Sequence, residues 1–594
     1  MILRLRLLLA VLLTFLVVFT GRLIYLQLAM AERYTVLSTQ NFLEERRNSP
    51  LRGRILARDG TILADNRVAY DLLYTGGTVQ QWERLRYLLE LEEEPRPPDP
   101  SRQEERENGA VLAWNIPDTL IPAVEELVAG QPNLYLRERI ERTYPTNLAA
   151  HAIGYTTLAD PVRFPGYANG ELVGVMGIEA GMEPHLFGAA GSRLVEVNNR
   201  RVVLRDTELV PALPGDDIVL TIDPELQRLA EDTLEASIEH LNAERRRNGL
   251  PLVETVRGSI MAADPRTGEI LASASAPTFD QNIFTRRPTD SERLAEVLED
   301  SLNLPLQNRS VEAYPPASTF KIVTSSVLLE NGYARPETRY ACSASMRYGG
   351  ITWNNWSSGH RGNYDAVQAI ADSCNTYYWY AAIDTPDFSR GWGPFIQDLV
   401  DRAHEFGFGE TVDVGVPEEK PGRIPTEEWK REITGEPWYP GYTLNTSIGQ
   451  GDVLATPIQT LQFAITLANH GRMVRPHLVK SVGDMTMPIQ EVTVPGRHWA
   501  VLREGMRRMV TDYGSSRYLG PAANFPVAVA GKTGTAENGQ GSGLEHVWFM
   551  AYAPAEEPEI AVVVFLEYGG SSSAVAVPVA RDFLLGWLGI EEES

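Results

Sequence analysis

The chain has 594 residues, 43% hydrophobic and 22% charged, a globular composition too long for one compact core, so two to four domains are expected. Its net charge of −24 and pI of about 4.9 exclude a nucleic-acid binder, because neutralising phosphates takes a basic face. Of 54 Lys and Arg residues only five are lysine: Lys321, Lys420, Lys430, Lys480 and Lys532.

The N-terminus is the one strongly non-globular stretch. Leu7 to Gly21 is 15 residues without charge, with Arg4 and Arg6 before it and Arg22 after it. A span takes about 20 residues, but the arginines can snorkel and the apolar pattern continues to Leu28. A cleaved signal peptide is the rival reading; no clean small-x-small site follows the apolar run, and the next segment stays helical and amphipathic. Residues 1–30 therefore read as an uncleaved signal anchor, with Arg4 and Arg6 inside and everything after Leu28 outside.

Residues 31–222 read as a β-rich region. Asp59-Gly60 between two alternating apolar runs predicts a tight hairpin. Residues 92–109 are charged and Pro-rich, hence a solvated loop, between a helix at Val79 to Leu91 and a helix-then-strand unit at Ile116 to Thr143. Together these make an inserted lobe at about 76–150. Strand alternation resumes from Val195 to Ile222, with a turn at Leu213-Pro-Gly-Asp-Asp. From 223 to 594 the character changes. Pro224 to Glu244 is an amphipathic helix, and Gly258 to Ser273 a hairpin around Pro265 to Gly268. The far end mirrors this with strands Val547 to Ala553 and Ile560 to Glu567, then helix Val577 to Leu588. One domain closed by its own ends, an antiparallel sheet with helices on its faces, is an α+β architecture.

Three short motifs carry the chemistry. Ser318 follows Tyr-Pro-Pro-Ala and precedes the helix-competent run Thr319 to Leu329, so the prolines put it in a first helical turn. Lys321 lies three residues on, within side-chain reach. Burial and the positive helix end favour a neutral lysine that takes the serine proton, a task arginine cannot perform. Ser-x-x-Lys alone arises about once or twice by chance in a chain of this size, so it decides nothing by itself. Ser373-Cys-Asn375 offers a hydroxyl to relay a proton and an amide to orient substrate or lysine, but Ser301-Leu-Asn303 has the same spacing and no evident role. Lys532-Thr533-Gly534-Thr535 follows a strand-like run. Gly534 would let a ligand approach the backbone at a sheet edge, and Lys532 would attract a carboxylate and depress the Lys321 pKa. Chance supplies only about 0.1 such motif per chain. Gly-x-Ser-x-Gly, His-Glu-x-x-His and P-loop signatures are absent, and no cofactor is expected. Cys342 and Cys374 are the only cysteines: they can pair, stay as buried thiols, or join His360 around a metal.

The ordered trio is the set found in penicillin-recognising serine enzymes, and from about residue 40 onward the chain resembles a class B penicillin-binding protein. Arg52 to Gly60, Arg142-Thr-Tyr-Pro145, His151 to Tyr155, Gly177-Ile-Glu179 and Leu213-Pro-Gly-Asp216 match that family's non-catalytic pedestal. Pro305 to Arg309, Tyr314-Pro-Pro, Gly449-Gln-Gly451 and His546 to Pro554 resemble the elongation-type subgroup. No glycosyltransferase domain precedes the pedestal and no C-terminal repeats follow the last helix, so class A membership and repeat modules are not expected. The resemblance implies an inner-membrane, single-pass D,D-transpeptidase with its catalytic domain outside, acting on peptidoglycan stem peptides and trapped by β-lactams. Ser318 would be the nucleophile and Lys321 the base; Ser373 and Asn375 would relay and position; Lys532 and Thr533 would bind the terminal carboxylate; Gly534 and Thr535 complete the strand, and the N–H groups of Ser318 and Thr535 form the oxyanion hole. It also implies a polytopic SEDS-family glycosyltransferase as partner. Some members hold zinc near this site; Cys342, His360 and Cys374 fall at comparable places, but Asn355 stands where the fourth ligand is expected. A division-type relative and a carboxypeptidase or β-lactamase share the motifs; the long pedestal argues against the hydrolases. An inactive scaffold or β-lactam sensor is set against intact motifs and the lack of a signalling module.

Overall fold

The computed structural model describes residues 2–30, 43–92, 94–102, 105, 109–197, 203–513, 519, 525–539 and 541–590. The expected start of the pedestal at 31–42 and parts of the expected loop at 92–109 and strand region at 195–222 lie outside these residues. Helix α1 (Ile2–Ile24) continues through a π turn at Tyr25–Ala29. Among the described residues it is the one helix long and apolar enough to cross a membrane, over Arg4–Leu28 with mean hydropathy 2.5, and none of that span is buried against the rest of the chain. At ~1.5 Å per residue, α1 alone exceeds the ~30 Å hydrocarbon core.

The β-rich region comprises β1 (Leu43–Asn48), β2 (Ile55–Leu56), β3 (Ile62–Tyr74), α2 (Trp82–Leu88), β4 (Ala110–Ala113), α3 (Ile121–Val128), β5 (Leu134–Thr143), β6 (Gly191–Val197), β7 (Val203–Val210) and β8 (Ile218–Leu220). The Asp59-Gly60 turn forms as expected: the Thr61 N–H donates to Asp59 Oδ1 at 2.9 Å, and Gly60 supplies φ of +90°. β3 pairs with β5 from Asp65↔Thr143 to Tyr74↔Leu134. The far end of this ribbon carries the lobe, whose own core joins Leu72 and Tyr74 to Leu85, Val124 and Leu127.

Four of the pedestal motifs meet at one place. Arg52 and Arg142, 90 residues apart in sequence, both donate to the buried Glu179 carboxylate, at 2.6 and 2.7 Å, and Tyr144 adds its hydroxyl at 3.2 Å. Gly53 and Gly215 let the Leu213-Pro-Gly-Asp216 turn close over them: a Cβ on Gly53 would lie 1.9 Å from Asp216 O. Two guanidiniums around one carboxylate are tolerable because Arg52 also pairs with Glu183 at 2.6 Å; removing one partner from such a cluster costs about 3–5 kcal/mol.

The boundary expected at 222/223 is crossed by hydrogen bonds. β8 runs parallel to β2 on one side, and on the other pairs antiparallel with a strand from far downstream, Val479–Val482, in the register Ile218↔Val482. The Gly177 N–H also donates to Glu418 at 3.1 Å across the same joint.

Beyond it come α4 (Pro224–Ala236), α5 (Ile238–Arg247), β9 (Gly258–Ala263), β10 (Ile270–Ala276), α6 (Lys321–Glu330), α7 (Asn375–Ile383), α8 (Pro457–Ala468), α9 (Trp499–Asp512), β11 (Ala530–Ala536), β12 (His546–Ala553), β13 (Ile560–Leu566) and α10 (Ala576–Trp587). Asp223 caps α4 through the Glu225 and Leu226 N–H groups. The single helix expected over Pro224 to Glu244 is instead broken at Ser237, whose Oγ donates back to Leu234 O at 2.6 Å, a side-chain bond that competes with the helix backbone. The five-stranded sheet runs β10-β9-β13-β12-β11, antiparallel throughout. Along β12, Val547, Phe549 and Ala551 face α4 and α10, while Trp548, Met550 and Tyr552 join the core of α6 and α8. Both faces are covered, so the strand reads as an unbroken apolar run rather than an alternation. α8 is buried on every side and opens with a Thr456/Gln459 capping box.

Candidate active site

Ser318 sits in a 3-10 turn, Ala317–Phe320, that leads directly into α6. In that geometry residues three apart eclipse one another, which sets Ser318 and Lys321 on the same side more firmly than an α turn does. The turn is strained and braced. Ala317 has φ of +50°; its N–H donates to Gly449 O at 2.9 Å; Thr319 Oγ1 donates to Pro316 O at 2.7 Å; Trp548 Nε1 donates to Pro315 O at 2.9 Å. Gly449 is glycine for two reasons: φ is +70°, and a Cβ there would lie 2.2 Å from Ala317 O. The Gly449-Gln-Gly451 motif is thus the seat of the nucleophile turn.

Lys321 and Lys532 are completely buried. Lys321 Nζ donates to Ser373 O at 2.7 Å and to Asn375 Oδ1, and lies 3.3 Å from Ser373 Oγ. Lys532 Nζ reaches the same Ser373 Oγ at 2.9 Å and Thr533 O at 3.1 Å. Ser373 holds φ of +55°, which aims its hydroxyl between the two amines. Burial, and next the neighbouring Lys532, push the Lys321 amine well below the ordinary lysine range, against the pull of Asp372. Burial lowers Lys532 to about 7, again opposed by Asp372. The arrangement accommodates one neutral and one charged amine. A charged Lys532 donates to Ser373 Oγ, while a neutral Lys321, its two N–H groups on Ser373 O and Asn375 Oδ1, keeps one free pair.

Ser318, Ser373, Asn375, Thr533 and Thr535 line one cleft of about 680 Å3. β11 is the last strand of the sheet, and its Thr533 and Thr535 line the cleft. The expected residues therefore come together. Gly534 has a different reason from the one expected: a Cβ there would lie 2.9 Å from Pro316 O and 3.2 Å from Thr319 Cγ2, so the missing side chain admits the nucleophile turn against the strand.

Sequence reasoning passed over several residues here. Asp372, immediately before Ser373, is nearly buried, accepts from Tyr364 OH at 2.8 Å and pairs with Arg361 at 2.6 Å. Burial raises its own pKa. Gln450 donates to Thr535 O at 3.2 Å, tying β11 to the nucleophile's seat. Trp356 donates to Asp372 O at 3.2 Å and lines the cleft. A lone Asp or Trp carries no spacing signal; only adjacency to Ser373 marked Asp372, and Gln450 was visible only as the middle of Gly449-Gln-Gly451, without a role.

Cys342 and Cys374 are joined in a disulfide that crosses 32 residues, which decides among the three options left open. His360 is exposed, and Asn355 turns its amide nitrogen toward both sulfurs. With both sulfurs bonded to one another, these residues do not fit a metal ion. No group of three His, Cys, Asp or Glu among the described residues is placed to hold one.

A family model described as Penicillin binding protein transpeptidase domain matches residues 258–585, and one described as Penicillin-binding Protein dimerisation domain matches 47–220. The chain belongs to the class B penicillin-binding proteins, elongation type. Peptidoglycan D,D-transpeptidase MrdA of Haemophilus influenzae is 30% identical over 94% of this chain and 87% of the relative. MrdA of Acinetobacter baumannii is 29% identical over 96% and 86%. A solved chain described under "Structural coordination of polymerization and crosslinking by a peptidoglycan synthase complex" is 44% identical, covers 100% of this chain and 99% of its own, and superposes with a TM-score of 0.80. Pseudomonas aeruginosa PBP2 in complex with WCK 5153 is 29% identical over 92% and 97%, with a TM-score of 0.66. The fold of this penicillin-binding protein is thus that of an elongation-type transpeptidase.

Proposed function

We infer that the protein cross-links peptidoglycan stem peptides during cell elongation through an acyl-enzyme on Ser318. The reading is carried by two buried lysines that share the Ser373 hydroxyl behind a serine in an open cleft. A donor stem peptide lies extended along β11, its terminal carboxylate on Lys532 and Thr533. Ser318 Oγ attacks the penultimate D-alanine carbonyl and gives its proton to neutral Lys321. The oxyanion is held by the N–H groups of Ser318 and Thr535. The C–N bond then breaks, and the Ser373 hydroxyl relays a proton to the departing D-alanine amine. Asn375 keeps Lys321 aimed. The amine of a second stem peptide attacks the ester, its proton returns through the same groups, and Ser318 is freed. A β-lactam enters the first half of this cycle and stays as a stable ester.

Ser318→Ala tests the assignment: the full-length variant should lose all covalent labelling by fluorescent penicillin, and retained labelling would name another nucleophile. Release of bound penicillin within seconds in the unchanged protein would instead favour a hydrolase.

The membrane arrangement is part of the proposal. Residues 1–30 anchor the chain, Arg4 and Arg6 keep the N-terminus in the cytoplasm, residues 31–222 form the pedestal and 223–594 the catalytic domain. A polytopic SEDS-family glycosyltransferase is the partner, docked on α1 and the pedestal. The 44% identical chain described with polymerisation and cross-linking in one complex supports this reading. Isolation of the tagged protein from membranes should bring down a glycan polymerase; a preparation active in cross-linking and free of any polymerase would overturn the pairing.

A further inference from the structure

Asn375 opens α7, so its N–H is one of the donors that a helix start leaves without an intrahelical partner. The cap residue, Cys374, supplies no side-chain hydrogen bond, and its sulfur is committed to Cys342. The Asn375 N–H goes instead to Asn355 Oδ1, at 3.1 Å. Asn355 is itself fixed on its far side. Its own N–H donates to Ala344 O at 2.8 Å, its Nδ2 donates to Ser343 O at 3.1 Å, and that nitrogen lies 3.6 Å from each disulfide sulfur. The Ser343 N–H in turn donates to Thr376 Oγ1 at 3.0 Å. Three successive residues at the head of α7 are therefore held by one flap: Cys374 by the disulfide, Asn375 by Asn355 and Thr376 by Ser343.

That head carries the acceptors of the catalytic amine. Lys321 Nζ donates to Ser373 O and Asn375 Oδ1 and lies 3.3 Å from Ser373 Oγ, so wherever these oxygens sit, the direction left to the free pair of the nitrogen follows. A proton transfer from Ser318 depends on that direction, and small misplacements of a reacting group cost large factors in rate. We propose that Asn355 is a positioning residue for the Lys321 base: seated against the disulfide, its amide holds the start of α7 where Asn375 and Ser373 aim the amine at Ser318. Asn355 also lines the cleft beside Trp356, so the same flap meets whatever occupies the site. The inference rests on the transpeptidase reading above.

The test uses the full-length protein in detergent and the acylation of its nucleophile by fluorescent penicillin, resolved into a binding constant and an acylation rate constant across pH. Acylation of the unchanged protein, and its loss in Ser318→Ala, tests the functional reading alone. In Asn355→Ala the acylation rate constant should fall at least about tenfold while the binding constant stays within about twofold. Asn355→Asp keeps an oxygen for the Asn375 N–H, with Lys532 and Asp372 unchanged around the base. It should recover to within about threefold at high pH, with its acid limb displaced upward because a new carboxylate favours the protonated amine. A merely structural role would lower rate, binding and thermal midpoint together rather than the acylation rate constant alone. An Asn355→Ala protein acylating within about threefold of the unchanged one would overturn the proposal. So would an equal loss of rate, binding and thermal midpoint in both variants.

Discussion

At the scale of single residues, the proposed mechanism divides one task between the two buried lysines by protonation state. Acylation needs Lys321 neutral, a fraction that grows as pH rises through its depressed pKa; it needs Lys532 charged, a fraction that shrinks as pH rises through about 7. The rate at low penicillin concentration should therefore be bell-shaped, with its alkaline limb near neutrality in the free protein. A bound carboxylate favours the charged Lys532, so the limb should move to higher pH once penicillin saturates the site. A rate that stays level from about pH 6 to about pH 9 would refute this division of roles. Gly534 allows a second prediction. A methyl in Gly534→Ala meets the backbone oxygen of Pro316 and the side chains of Thr319 and Trp548, so the Ser318 turn must shift. Acylation should drop by about 10- to 100-fold, read by the same labelling, while the thermal midpoint changes little. Of these residues, Ser318, Lys321, Ser373, Asn375 and Lys532 were legible because their residue types recur at fixed spacings that chemistry requires. Asp372 was marked only by standing next to Ser373, and Asn355 only as a departure from an expected ligand set; its bond to the Asn375 N–H, 20 residues on, follows no periodic pattern.

At the scale of elements, legibility followed the physics of each segment. Hairpins with a Gly at a positive-φ turn, such as β2–β3, were plain, and so were the paired strands β12 and β13, bounded by proline and acidic residues. The break between α4 and α5 was hidden, since Ser237 is as common on a helix surface as in a cap and only its bond to Leu234 O reveals the interruption. α8 was passed over because a helix buried all round has no polar face to mark its period. The pedestal motifs were visible as words without a reason; the reason is the Arg52–Glu179–Arg142 cluster. Glu179→Gln should lower pedestal stability by about 3–5 kcal/mol, because the buried Arg142 then faces a neutral amide and Arg52 keeps only Glu183. Chemical denaturation followed by tryptophan fluorescence checks it, and a change below about 1 kcal/mol would mean that solvent reaches the cluster.

At the scale of the whole molecule, the pedestal and the catalytic domain are joined through a shared sheet as well as a linker, with β8 lying between β2 and the Val479–Val482 strand. Heat should therefore unfold the described parts of both regions in one transition, and a pedestal variant such as Glu179→Gln should lower the midpoint seen by penicillin labelling as well as by pedestal fluorescence. Two separate calorimetric peaks, with labelling lost only in the second, would contradict that coupling. The shared sheet was beyond sequence reading, since a four-residue strand with buried ends and a half-buried Lys-Ser middle resembles any other short run. The same strand also sets a schedule. Synthesis from the N-terminus delivers Leu220 long before Val479, and at roughly 5–20 residues per second the interval between them is roughly 13–50 seconds. During that time β8 has an open edge, a surface that pairs readily with other nascent strands. The newborn chain thus has a window in which the pedestal is made but incomplete, and that edge stays open to mispairing until the later strand arrives.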